Sequence, residues 1–220
     1  MANNTHLYGF RFYQGGSGRD RPTGIEMQVA NAYQAKADDT STSVDLNVGD
    51  PVKLVSDGTV ALANTTDVPF GIITGILNVY NSGVGAVQPI NRVPGATAPG
   101  TTVIDRFTRV LVTPCAGIIW EIDVDDNTTQ TTFAGYVGLI GNNVTHVCVA
   151  DTSNSSLPKA DPRLDISSAA VTATLDWRIV GVSRNVANKD YSGTNTKLLV
   201  MANTTNEPGH ASVATVIVGV

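Results

Sequence analysis

The chain has 220 residues, enough for one large β domain or two small ones, with a core that needs no disulfide staples. Only 15% of the residues are charged and the net charge is −5, which argues against a nucleic-acid partner because the scattered Lys and Arg make no basic stripe. No stretch approaches the roughly 18 consecutive apolar residues of a membrane span.

The opening, MANNTHLYGFRFYQ, lacks a basic region followed by an apolar run, so the expectation is a chain made and folded in a cytoplasm. Residues 1–43 read as an extended N-terminal arm. Within it YQGGSGRDRPTG is loop by its Gly and Pro content, IEMQVANAYQA fits either a strand or a short helix, and KADDTSTS is polar linker. Regular structure begins at Val44 and continues to 205 as one β domain. Asp57-Gly58, between VKLVS and TVALA, is a hairpin signal, because both residues tolerate positive φ. A two-residue loop there sets Val55 opposite Val60 and Leu54 opposite Ala61. PFGIITGILNVY gives a further strand or two, and residues 81–102 a long Gly/Pro loop.

The second half continues in the same style. FTRVLVT alternates up to Pro114. GIIWEIDVDD puts Ile118, Trp120, Ile122 and Val124 on one face and Glu121 and Asp123 on the other. Phe133, Tyr136, Val137 and Ile140 have helical spacing, weakened by Gly135 and Gly138 at about 1 kcal/mol each. NNVTHVCVA returns to strand, LPKADPRLDISSAA is a polar connector, and LDWRIVGVS and TKLLVMAN are the last strands before an apolar tail at 206–220. Short strands at this spacing predict a mainly β fold: a small barrel or sandwich core with long loops and at most one or two short helices. No strict sequence repeat is present, although FGIITGI and WRIVGVS share a pattern that would suit the closing strand of a small barrel.

Reactive constellations are weak. His6, His146 and His210 are far apart; His146 and Cys148 share a strand face but lack the further ligands that zinc needs. DVDDNTT opens like a calcium loop, yet Thr128 and Ala134 stand where an EF-hand has Gly and Glu. GGSGRD has no preceding strand to make a nucleophile elbow, and Glu26, Glu121 and Glu207 form no evident catalytic pair. Cys115 and Cys148 read as two separate buried thiols. The expectation is a protein that is not an enzyme and needs no cofactor or metal. The end, HASVATVIVGV, is uncharged and β-prone, and suits either a last internal strand or a strand given to a neighbour.

Taken in order, YGFR, VGDPVKL, VPFGIITGI, WEIDVDD, LDISSAA and WRIVGVSRNVANKDYSGTNTKLLVMAN resemble a family of tailed-bacteriophage virion structural proteins, the capsid decoration or cement proteins. The resemblance spans about residues 8–204; the FYQGGSGRDRP loop and the tail beyond Asn206 depart from it. It implies a small-barrel protein that binds the outside of an assembled capsid and bridges capsomers, with the major capsid protein as partner and a trimer or dimer as its own state. It places the protein on the virion surface after synthesis in the host cytoplasm, with neither nucleic acid nor membrane as partner. Tyr8, Phe10, Arg11, Phe12 and Tyr13 in the arm, and Val216, Ile217 and Val218 in the tail, are the candidate capsid or subunit contacts. The alternative is a head-fibre or adhesin module binding host glycan, for which Tyr80, Trp120 and Trp177 are the candidate rings.

Overall fold

β-Branched and aromatic runs broken by Gly, Pro and Asn turns give strands, and strands make up nearly all of the regular structure. The computed structural model describes residues 9–15, 23–30, 46–65, 67–81, 86–88, 92–93, 109–125, 130–148, 162–171, 175–191 and 195–203. In chain order the strands are β1 (Arg11–Gly15), β2 (Ile25–Gln28), β3 (Leu46–Asn47), β4 (Pro51–Leu54), β5 (Val60–Leu62), β6 (Gly71–Asn81), β7 (Ala86–Gln88), β8 (Arg92–Val93), β9 (Arg109–Pro114) and β10 (Ile118–Asp123). The helix α1 (Phe133–Val137) follows, then β11 (Asn143–Cys148), β12 (Pro162–Ala170), β13 (Trp177–Val182) and β14 (Lys197–Ala202).

The fold is mainly β, as the sequence predicts, built on two antiparallel sheets, neither closed into a barrel. One sheet has the order β2-β9-β6-β4-β5, with β7 beside β6; the other has the order β1-β10-β14-β13-β11-β12. β3 and β8 make a separate two-stranded ribbon.

Four expectations change. LPKADPRLDISSAA is not only a connector, because its last nine residues form β12, which pairs with β11. The described parts of the 1–43 segment are not a detached arm: β1 pairs with β10 and β2 with β9, so each joins a sheet. The 81–102 loop carries β7 and β8. The β4–β5 hairpin pairs Leu54 with Val60 and Lys53 with Ala61, one residue away from the two-residue-loop register. Its turn is longer because the Gly58 amide donates to the Val55 carbonyl at 2.9 Å and Gly58 takes φ of +84°, after which Val55 pairs with Thr59. That is a type I turn with a glycine bulge. Asp57 then serves as a side-chain cap, accepting from the Thr59 hydroxyl at 2.6 Å and its amide at 3.0 Å; these two bonds hold its carboxyl below the ordinary range.

The two sheets repeat one design. Numbering the five strands of each by chain order, both β2-β9-β6-β4-β5 and β10-β14-β13-β11-β12 read 1-5-4-2-3. Each curls until its first and third strands meet in a single parallel bridge, Val29 to Val60 in one and Val124 to Leu164 in the other. The next amide crosses each seam: Ala30 donates to the Val60 carbonyl at 2.8 Å and Asp125 to the Leu164 carbonyl at 2.9 Å. Both have a register shift at the same place, between Ile73 and Gly75 opposite Val112 and Leu111, and between Ile179 and Gly181 opposite Val200 and Leu199. Ahead of the second strand, Gly49 at φ +102° and Gly141 at φ +96° donate to the carbonyls of Ile73 and Ile179, at 2.8 and 2.9 Å. FGIITGI and WRIVGVS therefore occupy equivalent strands, with Gly75 matching Gly181.

Each sheet wraps its own core. Val29, Leu46, Val52, Val60, Leu62, Phe70, Ile73, Val110 and Val112 fill the first unit. Trp120, Ile122, Val124, Tyr136, Val144, Leu164, Ile166, Trp177, Ile179, Leu198 and Val200 fill the second. Adjacent residues of β6 serve both: Ile73 points into the first core and Ile72 into the second. Burying each such side chain contributes about 1.5–3 kcal/mol.

Candidate interaction surface

The N-terminal candidates divide between core and surface. Phe10 is buried, its ring 4.4 Å from that of Trp177, while its amide donates to the Gly49 carbonyl at 3.0 Å. It thus pins the first unit to the second instead of offering a face to a partner. Gly9 permits this close approach: it holds φ of +56°, and a Cβ there would come 2.8 Å from the Gly49 oxygen. Phe12 is half-buried with its ring edge-on to Trp120 at 6.3 Å. Arg11 is exposed, with its guanidinium 3.8 Å from Glu121, and Tyr13 keeps 44% of its surface in solvent. Tyr8, Val216, Ile217 and Val218 lie outside the described residues.

Trp120 and Trp177 are fully buried, so neither offers a ring to a sugar; the side chain of Tyr80 lies outside those described. The indole N–H of Trp177 donates to Nδ1 of His146 at 3.2 Å. Because an indole can only donate, Nδ1 is the acceptor and Nε2 carries the proton, which it gives to the Ala63 carbonyl at 3.0 Å. The Cys148 thiol donates to the same carbonyl at 3.2 Å. His146 therefore ties the second sheet to the end of β5 in the first. Burial, helped by the carboxylates of Asp50 and Asp67, pushes the Cys148 thiol far up, which disfavours the thiolate a nucleophile would need. Among the described residues no group of three or more His, Cys, Asp and Glu could hold a metal ion.

Glu121 and Asp123 do lie opposite Trp120 on β10, yet both are buried. The connection from β13 to β14 folds over them. Ser183 donates to Glu121, and Lys197, itself buried, sits 3.5 Å from Asp123. Asn188 holds the connection down, giving its amide to the carbonyls of Ser183 and Lys197 at 2.9 and 3.0 Å and accepting from the Lys197 amide at 3.0 Å. These contacts order a surface loop over the two carboxylates.

A group of exposed apolar side chains stands beside that loop. Thr132 caps α1 by accepting from the Gly135 amide at 3.1 Å, which starts the helical turn. Tyr136 points inward and is fully buried. Phe133, Val137 and Ile140, spaced four and then three apart, point outward, and Phe133 is 52% exposed. The ring of Tyr191, from the β13–β14 connection, lies 5.2 Å from that of Phe133, and Val186 on the same connection is 75% exposed. The helical spacing at 133–140 was visible in the sequence; which side of it faces out was not, since all four apolar positions look alike until Tyr136 is packed.

No family model, curated protein or solved structure matches this chain.

Proposed function

We propose that this protein is a structural component of a tailed-phage virion that binds the outside of the assembled capsid and bridges neighbouring capsomers. The ordered series of segments from YGFR to WRIVGVSRNVANKDYSGTNTKLLVMAN supports the family. The observation that carries the binding role is the outward row Phe133, Val137 and Ile140, with the ring of Tyr191 beside Phe133. Large apolar side chains grouped on a rigid turn are the kind of surface that protein partners cover. Contact area, not bond-making, is the product: each copy gains modestly, and several attachment points on one shell reinforce one another through effective concentration. Synthesis in the host cytoplasm suits such a protein, and among the described residues no helix is long and apolar enough to cross a membrane.

Add-back to undecorated capsids tests this reading. Saturating protein should raise the temperature at which the capsids open, and Phe133→Asp with Val137→Asp should weaken binding by about tenfold or more while leaving the circular dichroism unchanged. Equal capsid melting with and without the protein would defeat the cementing role.

A further inference from the structure

The internal repeat exposes a difference between the two units. In the second, the outer edge of β10 is covered by β1, with Arg11 opposite Glu121 and Phe12 opposite Trp120. The equivalent strand of the first unit is β2, because Ile25 faces Val112 as Trp120 faces Val200, and Glu26 faces Leu111 as Glu121 faces Leu199. β2 is an end strand of its sheet; beyond the Val29 seam, no described strand covers residues 25–27 from outside. The consequence shows in the side chains: Trp120 is fully buried, whereas Ile25 at the matching place is 48% exposed. A bare edge flanked by an exposed Ile is a template for strand addition.

The charges on that edge select the occupant. On β10, Lys197 lies 3.5 Å from Asp123, and Arg11 of the added strand lies 3.8 Å from Glu121. On β2, Arg109, the counterpart of Lys197, pairs with Glu26, and Gln28 replaces the second carboxylate. The edge is thus already balanced and calls for an uncharged strand. Residues 213–220, VATVIVGV, are the longest uncharged β-branched run outside the described residues. They follow Asn203 by a stretch of chain that extends about 3.3 Å per residue, enough to cross to a neighbour.

We infer that β2 is a strand-addition site for the C-terminal segment 213–220 of a second copy of this chain, exchanged reciprocally to close a symmetric oligomer. The added strand repeats on the first unit what β1 does on the second. This does not depend on the capsid reading, and its test needs no capsid.

Sedimentation of the full chain should show an oligomer. Ile25→Lys, and separately removal of residues 211–220, should each weaken self-association by about tenfold or more with unchanged circular dichroism. As a check that does not depend on those variants folding, chains carrying Ile25→Cys are mixed with chains carrying Val216→Cys or Val218→Cys and oxidised. A disulfide joining the two kinds of chain is expected. The inference is overturned if the full chain is monomeric, or if both variants associate as tightly as the parent. It is equally overturned if a chain carrying both cysteines links only to itself, which would make the tail an internal strand.

Discussion

His146 shows how one residue joins two sheets. Its ring accepts from Trp177 and donates to Ala63, so both nitrogens are used inside the protein. His146→Leu puts an apolar side chain in place of the ring, as Leu54 stands at the matching register position in the first unit. It leaves the buried Trp177 N–H without its acceptor, so we expect a loss of about 1–3 kcal/mol in urea unfolding. Asp67 is a second such point. Burial alone would raise its pKa, but the Lys53 ammonium at 2.8 Å and the Asn64 amide at 2.9 Å outweigh it and hold the carboxyl below its ordinary value near 3.8. A depressed carboxylate contributes stability that is present above its unfolded pKa and is lost as pH falls through the folded one. The contribution of Asp67 is therefore complete above about pH 4 and fades below it. Asp67→Asn should cost about 0.5–1 kcal/mol at pH 7, and the difference from the parent should vanish near pH 2 in acid titrations of stability.

At the level of elements, the repeat lies in register and turn chemistry, not in side chains. Gly49 and Gly141 share positive φ, the same hydrogen bond and the same place before the second strand of each unit. Any other residue pays the left-handed penalty, so Gly49→Ala and Gly141→Ala should each cost about 1–2 kcal/mol in chemical denaturation. Unequal costs, with one near zero, would mean that the two turns are not equivalent. The matching Gly75 and Gly181 behave differently: a Cβ at either meets Leu111 or Leu199 no closer than 3.5 Å, so alanine is tolerated at both.

Across the whole molecule, two cores raise the question of whether the units unfold separately. Ile72 leaves the first sheet to pack in the second core, Phe10 hydrogen-bonds one unit while stacking on the other, and His146 bridges back to Ala63. These shared groups should make unfolding a single event. Calorimetry should show one transition with equal calorimetric and van't Hoff enthalpies, and Ile72→Ala should lower its midpoint without splitting it. Two resolved transitions would show that the units are independently stable.

The sequence by itself determined the mainly β class, most strands after Val44, the turn at Asp57-Gly58 and the alternation of β10, because each follows from local periodicity and from φ preferences that neighbours cannot override. It also hinted at the equivalence of FGIITGI and WRIVGVS. The full repeat stayed hidden, because loops of unequal length shift the matching strands by different amounts and what is repeated is the hydrogen-bond register. Only the tertiary structure decided that Glu121 and Asp123 are buried, since their cover comes from β1 and the β13–β14 connection, both distant in sequence. It likewise decided that Phe10 belongs to the core while Phe133 faces solvent. An apolar side chain reads the same in either place, and burial depends on which surfaces remain uncovered once both sheets have curled.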